Sequence, residues 1–258
     1  MIESVFSVDA KDLAALWHRV FGDPQALAEA LLRELPAFGC GFAAVEDGKL
    51  LGAAYWLDGL ELAGEKCGYL YAVAVYPACR GRGLGAALSR ACFEEGKRRG
   101  AAYRCTAPAE PSLFGWYERI LGLKPVLYRQ NTELAARDGL PVRPIGPAEY
   151  AERREALLGA FPQLRCAPEA MAFEAANCRC FGGDLFAVGD GIAAAYREDG
   201  TALVREALGP APEEIAAAVG ARLGCERVQL LRCADDGTPF LASDRPFPPG
   251  TVWNLAFD

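Results

Sequence analysis

The chain has 258 residues, 52% hydrophobic and 24% charged, which is a globular composition with room for one large domain or two small ones. A net charge of −7 is unlike the basic balance that duplex-binding proteins normally carry, so no nucleic-acid partner is expected. The longest uncharged stretch, Cys67–Cys79, falls short of the roughly 20 apolar residues of a membrane helix, and the opening Met1-Ile2-Glu3-Ser4 lacks a signal-peptide pattern; we expect no membrane partner and a cytoplasmic location.

Asp9 caps a predicted helix carrying Leu13, Leu16, Trp17 and Val20 at helical spacing. Asp23-Pro24 opens a second, with Leu27, Leu31 and Leu32 on one face. Phe42–Val45, the turn Asp47-Gly48 and Leu50–Leu57 form a hairpin pattern. Gly68–Val75 is a strand rich in β-formers, stopped by Pro77. After the tight loop Gly81–Gly85, a helix runs from about Leu84 to Arg99 and stops at Gly100. Tyr103–Thr106 is a strand, Pro111–Leu121 a helix, and Val126–Glu133 the expected last strand of the first half.

A seam at Ala135–Pro144 carries Asp138-Gly139, Pro141 and Pro144, and gives expected domains 1–134 and 135–258. Charge is uneven across it, with 15 basic and 16 acidic residues before position 135 and 12 and 18 from there on. The second half echoes the first. Ile145–Gly159 lies on Val8–Gly22, and Phe186–Gly191 on the first hairpin's Phe42–Gly48. Strands Ile192–Tyr196 and Thr201–Leu208, helix Glu213–Leu223 and strand Arg227–Arg232 follow.

Ten cysteines are scattered among apolar neighbours, and only Cys178 and Cys180 lie close in sequence. With His18 the single histidine, a four-ligand zinc site is not expected, and no metal is assigned. Serine–histidine or cysteine–histidine catalysis would need His18, which falls in an amphipathic helix and reads as a surface or packing residue.

The chemically informative segment is Val73-Ala74-Val75, then Pro77 and Arg80-Gly81-Arg82-Gly83-Leu84-Gly85. Glycines leave main-chain N–H groups uncovered, and the helix they open adds its own unpaired N–H groups and the positive end of its dipole. This is a cradle for phosphate or pyrophosphate, flanked by two guanidinium groups. The Gly-Lys-Ser/Thr of a nucleotide P-loop is missing, and the glycine spacing is not that of a dinucleotide fold.

Arg-x-x-Gly-x-Gly after Val-x-Val-x-Pro resembles the GNAT superfamily of acyl-CoA-dependent N-acetyltransferases, over residues 8–130 in element order. The resemblance implies an α/β fold: a twisted mixed sheet flanked by helices, followed here by a second, degenerate domain of the same kind. It also implies acetyl-CoA as co-substrate. Its pyrophosphate would sit on the amides of Arg80, Gly81, Arg82, Gly83, Leu84 and Gly85, and its pantetheine arm along Val73, Ala74 and Val75, with an N–H near Val75 polarising the thioester carbonyl. Within Ser112–Leu123, Tyr117 matches the family tyrosine that protonates the departing thiolate; its extra residue before Gly122, and Leu123 in place of an aromatic, depart from the pattern.

No acid lies on the strand before the loop. Asp58, Glu61 and Glu65 are alternative bases acting through water, and each is equally an ordinary loop acid. Cys79 is read as packing. At the second half's equivalent loop, Leu208–Glu214, Pro210 and Pro212 lack N–H groups and Glu213 and Glu214 repel phosphate, so that half is not expected to bind coenzyme A. It would wall the acceptor site, set specificity or mediate dimerisation. Glu198, Asp199, Asp235 and Asp236 would attract a cation or simply form hairpin turns. The leading reading is direct acetyl transfer to a primary amine on a small molecule or peptide. An inactive acyl-CoA sensor or scaffold and a plain interaction module are the alternatives, and a homodimer stays open.

Overall fold

The computed structural model describes residues 1–234 and 236–255, so Asp235 lies outside the described residues. In chain order the first half forms β1 (Ile2–Ser4), α1 (Ala10–Phe21), α2 (Gln25–Phe38), β2 (Gly39–Glu46), β3 (Lys49–Leu62), β4 (Glu65–Val75), α3 (Leu84–Arg98), β5 (Tyr103–Thr106), α4 (Pro111–Leu121) and β6 (Lys124–Ala135). The second forms β7 (Val142–Pro144), α5 (Pro147–Leu158), β8 (Leu164–Cys166), α6 (Pro168–Cys180), β9 (Asp184–Val188), β10 (Gly191–Glu198), β11 (Thr201–Leu208), α7 (Pro212–Arg222), β12 (Arg227–Ala234) and β13 (Thr238–Ser243). The fold is mixed α/β, as expected. The helix at α6 and the strands β1, β7, β8 and β13 have no counterpart in the sequence reading. Short strands carry too few alternations to register, and α6 is buried nearly all round, so it shows no amphipathic stripe.

The described chain divides into two compact units, one of residues 1–126 with 239–247, the other of 127–238 with 248 onward. This corrects the expected contiguous domains 1–134 and 135–258, and the physical reason is strand pairing. β6, expected as the last strand of the first half, pairs antiparallel with β12 over eight residues, from Arg227 opposite Ala135 to Ala234 opposite Tyr128. β13, from the end of the chain, pairs antiparallel with β5, Ala242 opposite Thr106 and Ser243 opposite Cys105. The two halves of the sequence thus exchange their closing strands.

In unit 1 the strands run β1-β2-β3-β4-β5-β13, antiparallel except for the parallel pair β4–β5. Asp47 (φ 50°) and Gly48 (φ 71°) close the β2–β3 hairpin as a type I′ turn, the geometry Asp-Gly favours. One core cluster gathers Trp56, Leu70, Leu88, Cys92, Phe93 and Tyr117. Trp56 is fully buried between β4 and α3, edge-on to Phe93 at 5.5 Å, and its Nε1 donates to Asp58 Oδ1 at 2.7 Å. A Cβ on Gly68 or on Gly96 would fall inside its ring, so both glycines are dictated by this one side chain.

Unit 2 repeats the plan as β6-β12-β11-β10-β9-β7, with β11–β12 its parallel pair. Asp199 (φ 46°) and Gly200 (φ 76°) turn the β10–β11 hairpin. Its interior holds a buried ion pair: Arg154 Nε lies 2.9 Å from Glu206 Oε2, Tyr150 donates to the same oxygen at 2.8 Å, and Arg154 Nη1 donates to Gln163 Oε1 and Leu164 O. Charges taken so far from water persist because nearly every lone pair and proton finds a partner. No described helix is long and apolar enough to cross a membrane.

Candidate active site

The site begins with a fault in the sheet of unit 1. Opposite Ala53 and Tyr55 of β3 stand Ala74 and Tyr71 of β4, so Ala72 and Val73 together face Ala54. Ala72 sits at φ 47°, the strained centre of this β-bulge. Pairing between β4 and β5 is confined to Cys67–Tyr69 with Tyr103–Cys105. Beyond it the strands part, and a cleft of about 680 Å³ opens, lined among others by Val73, Val75, Gly83, Gly85, Trp116 and Tyr117. Tyr76 N donates to Leu51 O of β3, at 3.0 Å. By strand alternation the neighbouring Val75 N–H points the other way, toward the side β5 has left.

The loop after β4 turns through a 3₁₀ segment, Pro77–Cys79, in which the Arg80 amide donates to Pro77 O at 3.3 Å. That amide is therefore turned into the loop rather than toward a ligand. Gly81 (φ 79°) and Gly83 (φ 78°) take left-handed backbone, and Gly83 is the N-cap of α3 with no capping side chain. The N–H groups of the first turn of α3 are consequently left open. A Cβ on Gly81 or Gly83 would meet open space, and one on Gly85 only ordinary contact with the Trp116 ring at 3.7 Å. Glycine is set at 81 and 83 by backbone angle; at 85 nothing in the protein requires it, which is what close approach of a ligand would explain.

The two arginines differ. Arg80 Nε reaches Val75 O at 3.4 Å and the residue lines the cleft, whereas Arg82 Nη2 grips Glu46 Oε1 and Oε2 at 2.8 and 3.0 Å. This pairing lowers the Glu46 carboxyl and raises the Arg82 guanidinium.

Tyr117, on the inner face of α4, is 6% exposed, edge-on to Trp116 at 4.8 Å. Burial pushes its phenol up to about 12, partly offset by the Thr106 hydroxyl. It is therefore neutral, with its proton in place, throughout the physiological range. Pro111 starts α4 and Gly122 (φ 73°) ends it, as the sequence pattern predicts.

The three acids considered as bases lie outside the cleft lining. Asp58 is tied to Arg99 Nη1 (2.6 Å) and the Trp56 indole, Glu65 binds Arg245 at 3.0 Å, and Glu61 stands opposite Lys66 in the β3–β4 ladder. The carboxylate that does line the cleft is Glu110, at the N-cap of α4, contacted by Ser112 Oγ at 3.4 Å. Sequence reasoning passed over it; its place directly before a Pro-initiated helix that reaches the loop was the available signal. Cys79 also lines the cleft, half-buried. His18 Nδ1 lies 2.7 Å from Asp23 O on the surface of α1. No cluster of metal-binding side chains occurs among the described residues.

Unit 2 has a similar fork. β11 and β12 pair over Thr201–Val204 with Arg227–Leu230 and then separate. Beside their diverging ends lies the chain's own segment Gly250–Asn254, with Trp253 fully buried, Cys233 N donating to Asn254 Oδ1 (3.0 Å) and Cys233 Sγ to Trp253 O (2.7 Å). Helix α7 opens with Pro212, Glu213 and Glu214, and Glu213 pairs with Arg232 at 2.9 Å. Asp236 accepts from Gln130 Nε2 at 2.7 Å.

Residues 7–123 match the model of the acetyltransferase (GNAT) family. The fold of the chain is similar over nearly its whole length to solved structures. They include a candidate acetyltransferase from Pyrococcus horikoshii (TM-score 0.68, 14% identity, 99% of this chain and 92% of that one) and a GCN5-related N-acetyltransferase from Kribbella flavida (0.65, 20%, 94% and 70%). A third is a GCN5-related N-acetyltransferase from Anabaena variabilis (0.64, 13%, 94% and 72%). A search of curated proteins finds no match to the sequence.

Proposed function

We propose that the protein transfers an acetyl group directly from acetyl-CoA to a primary amine. The observation that carries this reading is the Val73–Gly85 segment: a forked strand leading into open amides at a helix N-terminus, beside Arg80, in a GNAT domain. The diphosphate of the cofactor would rest on the amides from Gly81 to Gly85, and its amide-bearing arm would hydrogen-bond the outward edge of β4 at Val73 and Val75. The amine nitrogen forms its bond to the carbonyl carbon, the C–S bond breaks with its electron pair going to sulfur, and Tyr117 supplies the proton that makes the free thiol. The proton lost by the amine restores the phenol through solvent. Glu110, the carboxylate in the lining, receives the proton of the incoming ammonium. Acceleration comes chiefly from holding two reactants together, since a thioester is already activated.

At the second unit's equivalent loop the helix opens with Pro212, Glu213 and Glu214, which suit phosphate poorly, so one cofactor per chain is expected. Cytoplasmic location and an amine on a small molecule or peptide belong to this same reading.

Calorimetry with coenzyme A, followed by thiol release from acetyl-CoA across a panel of primary amines, tests it. Gly85→Glu is the decisive variant, because the position tolerates a side chain. It should keep the wild-type melting temperature and lose coenzyme A binding. Binding retained in Gly85→Glu would remove the cradle. Binding without turnover on any amine would leave a sensor.

A further inference from the structure

We propose that Arg82 is a specificity residue for the 3′-phosphate of coenzyme A, held in reserve by Glu46 until the cofactor binds. The proposal rests on the reading that the loop after β4 seats acetyl-CoA, and it starts from the unequal placing of the two loop arginines. Cys79, Arg80, Gly81, Gly83, Leu84 and Gly85 line the cleft, and Arg82 alone of that stretch does not. Its side chain turns instead to the end of β2, where Nη2 donates to Glu46 Oε1 at 2.8 Å and to Oε2 at 3.0 Å. A cation outside the lining is misplaced for the diphosphate that the amides from Gly81 to Gly85 would hold. Coenzyme A carries one further phosphate, the monoester on its ribose, and that group is left for Arg82.

The ion pair has the build of an exchangeable contact. Both bonds come from a single nitrogen, so the two-nitrogen fork that makes arginine–carboxylate pairs strong is not formed. The two side chains are 47% and 53% exposed, so water and salt screen their attraction. A phosphate monoester offers about two negative charges and three acceptor oxygens at neutral pH, against one charge and two oxygens on Glu46. The exchange therefore favours the phosphate.

The surroundings make the exchange cheap. Gly81 and Gly83 flank Arg82, and a Cβ on either would meet open space, so the loop is uncrowded on both sides of the arginine. Glu46 is not stranded when Arg82 leaves. The exposed Lys49 stands opposite it in the β2–β3 ladder, within cross-strand reach. The consequence is a sign. A carboxylate that braced the loop would cost affinity when neutralised, whereas one that competes for Arg82 raises affinity when neutralised.

Calorimetry on the full chain, at low ionic strength, with coenzyme A and with 3′-dephospho-coenzyme A tests this. The proteins are wild type, Arg82→Ala, Glu46→Gln and the double variant Glu46→Gln/Arg82→Ala. Glu149→Gln, which breaks an exposed ion pair with Arg143 in unit 2, controls for net charge. Arg82→Ala should weaken coenzyme A binding about five-fold or more. Glu46→Gln should tighten it about two- to five-fold, and should change nothing in the Arg82→Ala background. With the dephospho compound all these proteins should bind alike. Weaker or unchanged binding of coenzyme A by Glu46→Gln would overturn the proposal, as would an equal loss for the dephospho compound in Arg82→Ala or an equal gain in Glu149→Gln. Wild-type protein that binds neither compound would instead remove the cofactor reading underneath it.

Discussion

Glu95 shows how a single residue of unit 1 is held. Arg98 and Arg99 grip its carboxylate at 2.6 and 2.7 Å and hold it down at about 2, against an ordinary 4.5. Arg99 also binds Asp58, which accepts from the Trp56 indole, so the group links the end of α3 to the core. A carboxyl depressed in the folded state stabilises above its unfolded value, and the contribution fades as pH falls toward the folded one. Denaturant unfolding should therefore lose stability between pH 4.5 and about 2, and Glu95→Gln should flatten that slope while lowering stability at pH 7. An unchanged slope in the variant would show the triad contributes nothing. Arg82 follows a different rule. Its pair with Glu46 is exposed on both sides, contributes little to stability, and is free to yield to a competing anion.

At the scale of elements, α3 owes its place to Trp56. Gly96 sits mid-helix, where glycine normally costs about 1 kcal/mol relative to alanine. On a solvated face Gly96→Ala would stabilise by that amount. Here the added methyl would overlap the indole, and overpacking of a tight core costs about 1–3 kcal/mol. The variant should lower the melting temperature, and the sign alone decides between the two effects. The fork between β4 and β5 has an equally local origin, one extra residue at Ala72–Val73 and the Thr106 hydroxyl on Leu70 O in place of a ladder bond. Beyond the similar fork between β11 and β12, α7 opens with Pro212, which has no N–H, and with Glu213 and Glu214, which disfavour an anion, while the Gly250–Asn254 segment lies against the strand ends.

At the scale of the whole molecule, the exchanged strands decide how the chain folds. Unit 1 needs β13 to cover the edge of β5, and unit 2 needs β6 to cover the edge of β12. An exposed strand edge is a template for aggregation. The fragment 1–134, expressed alone, should be insoluble or oligomeric by size-exclusion chromatography, and co-expression with 135–258 should return a soluble complex. A monomeric, cooperatively folded 1–134 would contradict the exchange as a folding requirement.

What could be read from the residues alone was local. The loop from Arg80 to Gly85, the helix Pro111–Leu121 and the hairpin turn at Asp47-Gly48 each depend on the backbone preferences of a few consecutive residues, and glycine, proline and helix periodicity report those directly. The strands Ile192–Tyr196 and Thr201–Leu208 and the helix Glu213–Leu223 of the second half were legible for the same reason. Tertiary structure decided what depends on distant partners. The sequence around Val126–Glu133 reads as a strand whichever neighbour it has, and only the sheet assigns it to β12. Glu110 is an unremarkable residue until the fold places it in the lining of the cleft. The acids at 58 and 65 looked available until arginines far along the chain, Arg99 and Arg245, neutralised them. Preferences of the backbone act over a few residues, whereas pairing and charge compensation act between residues that the fold alone makes neighbours.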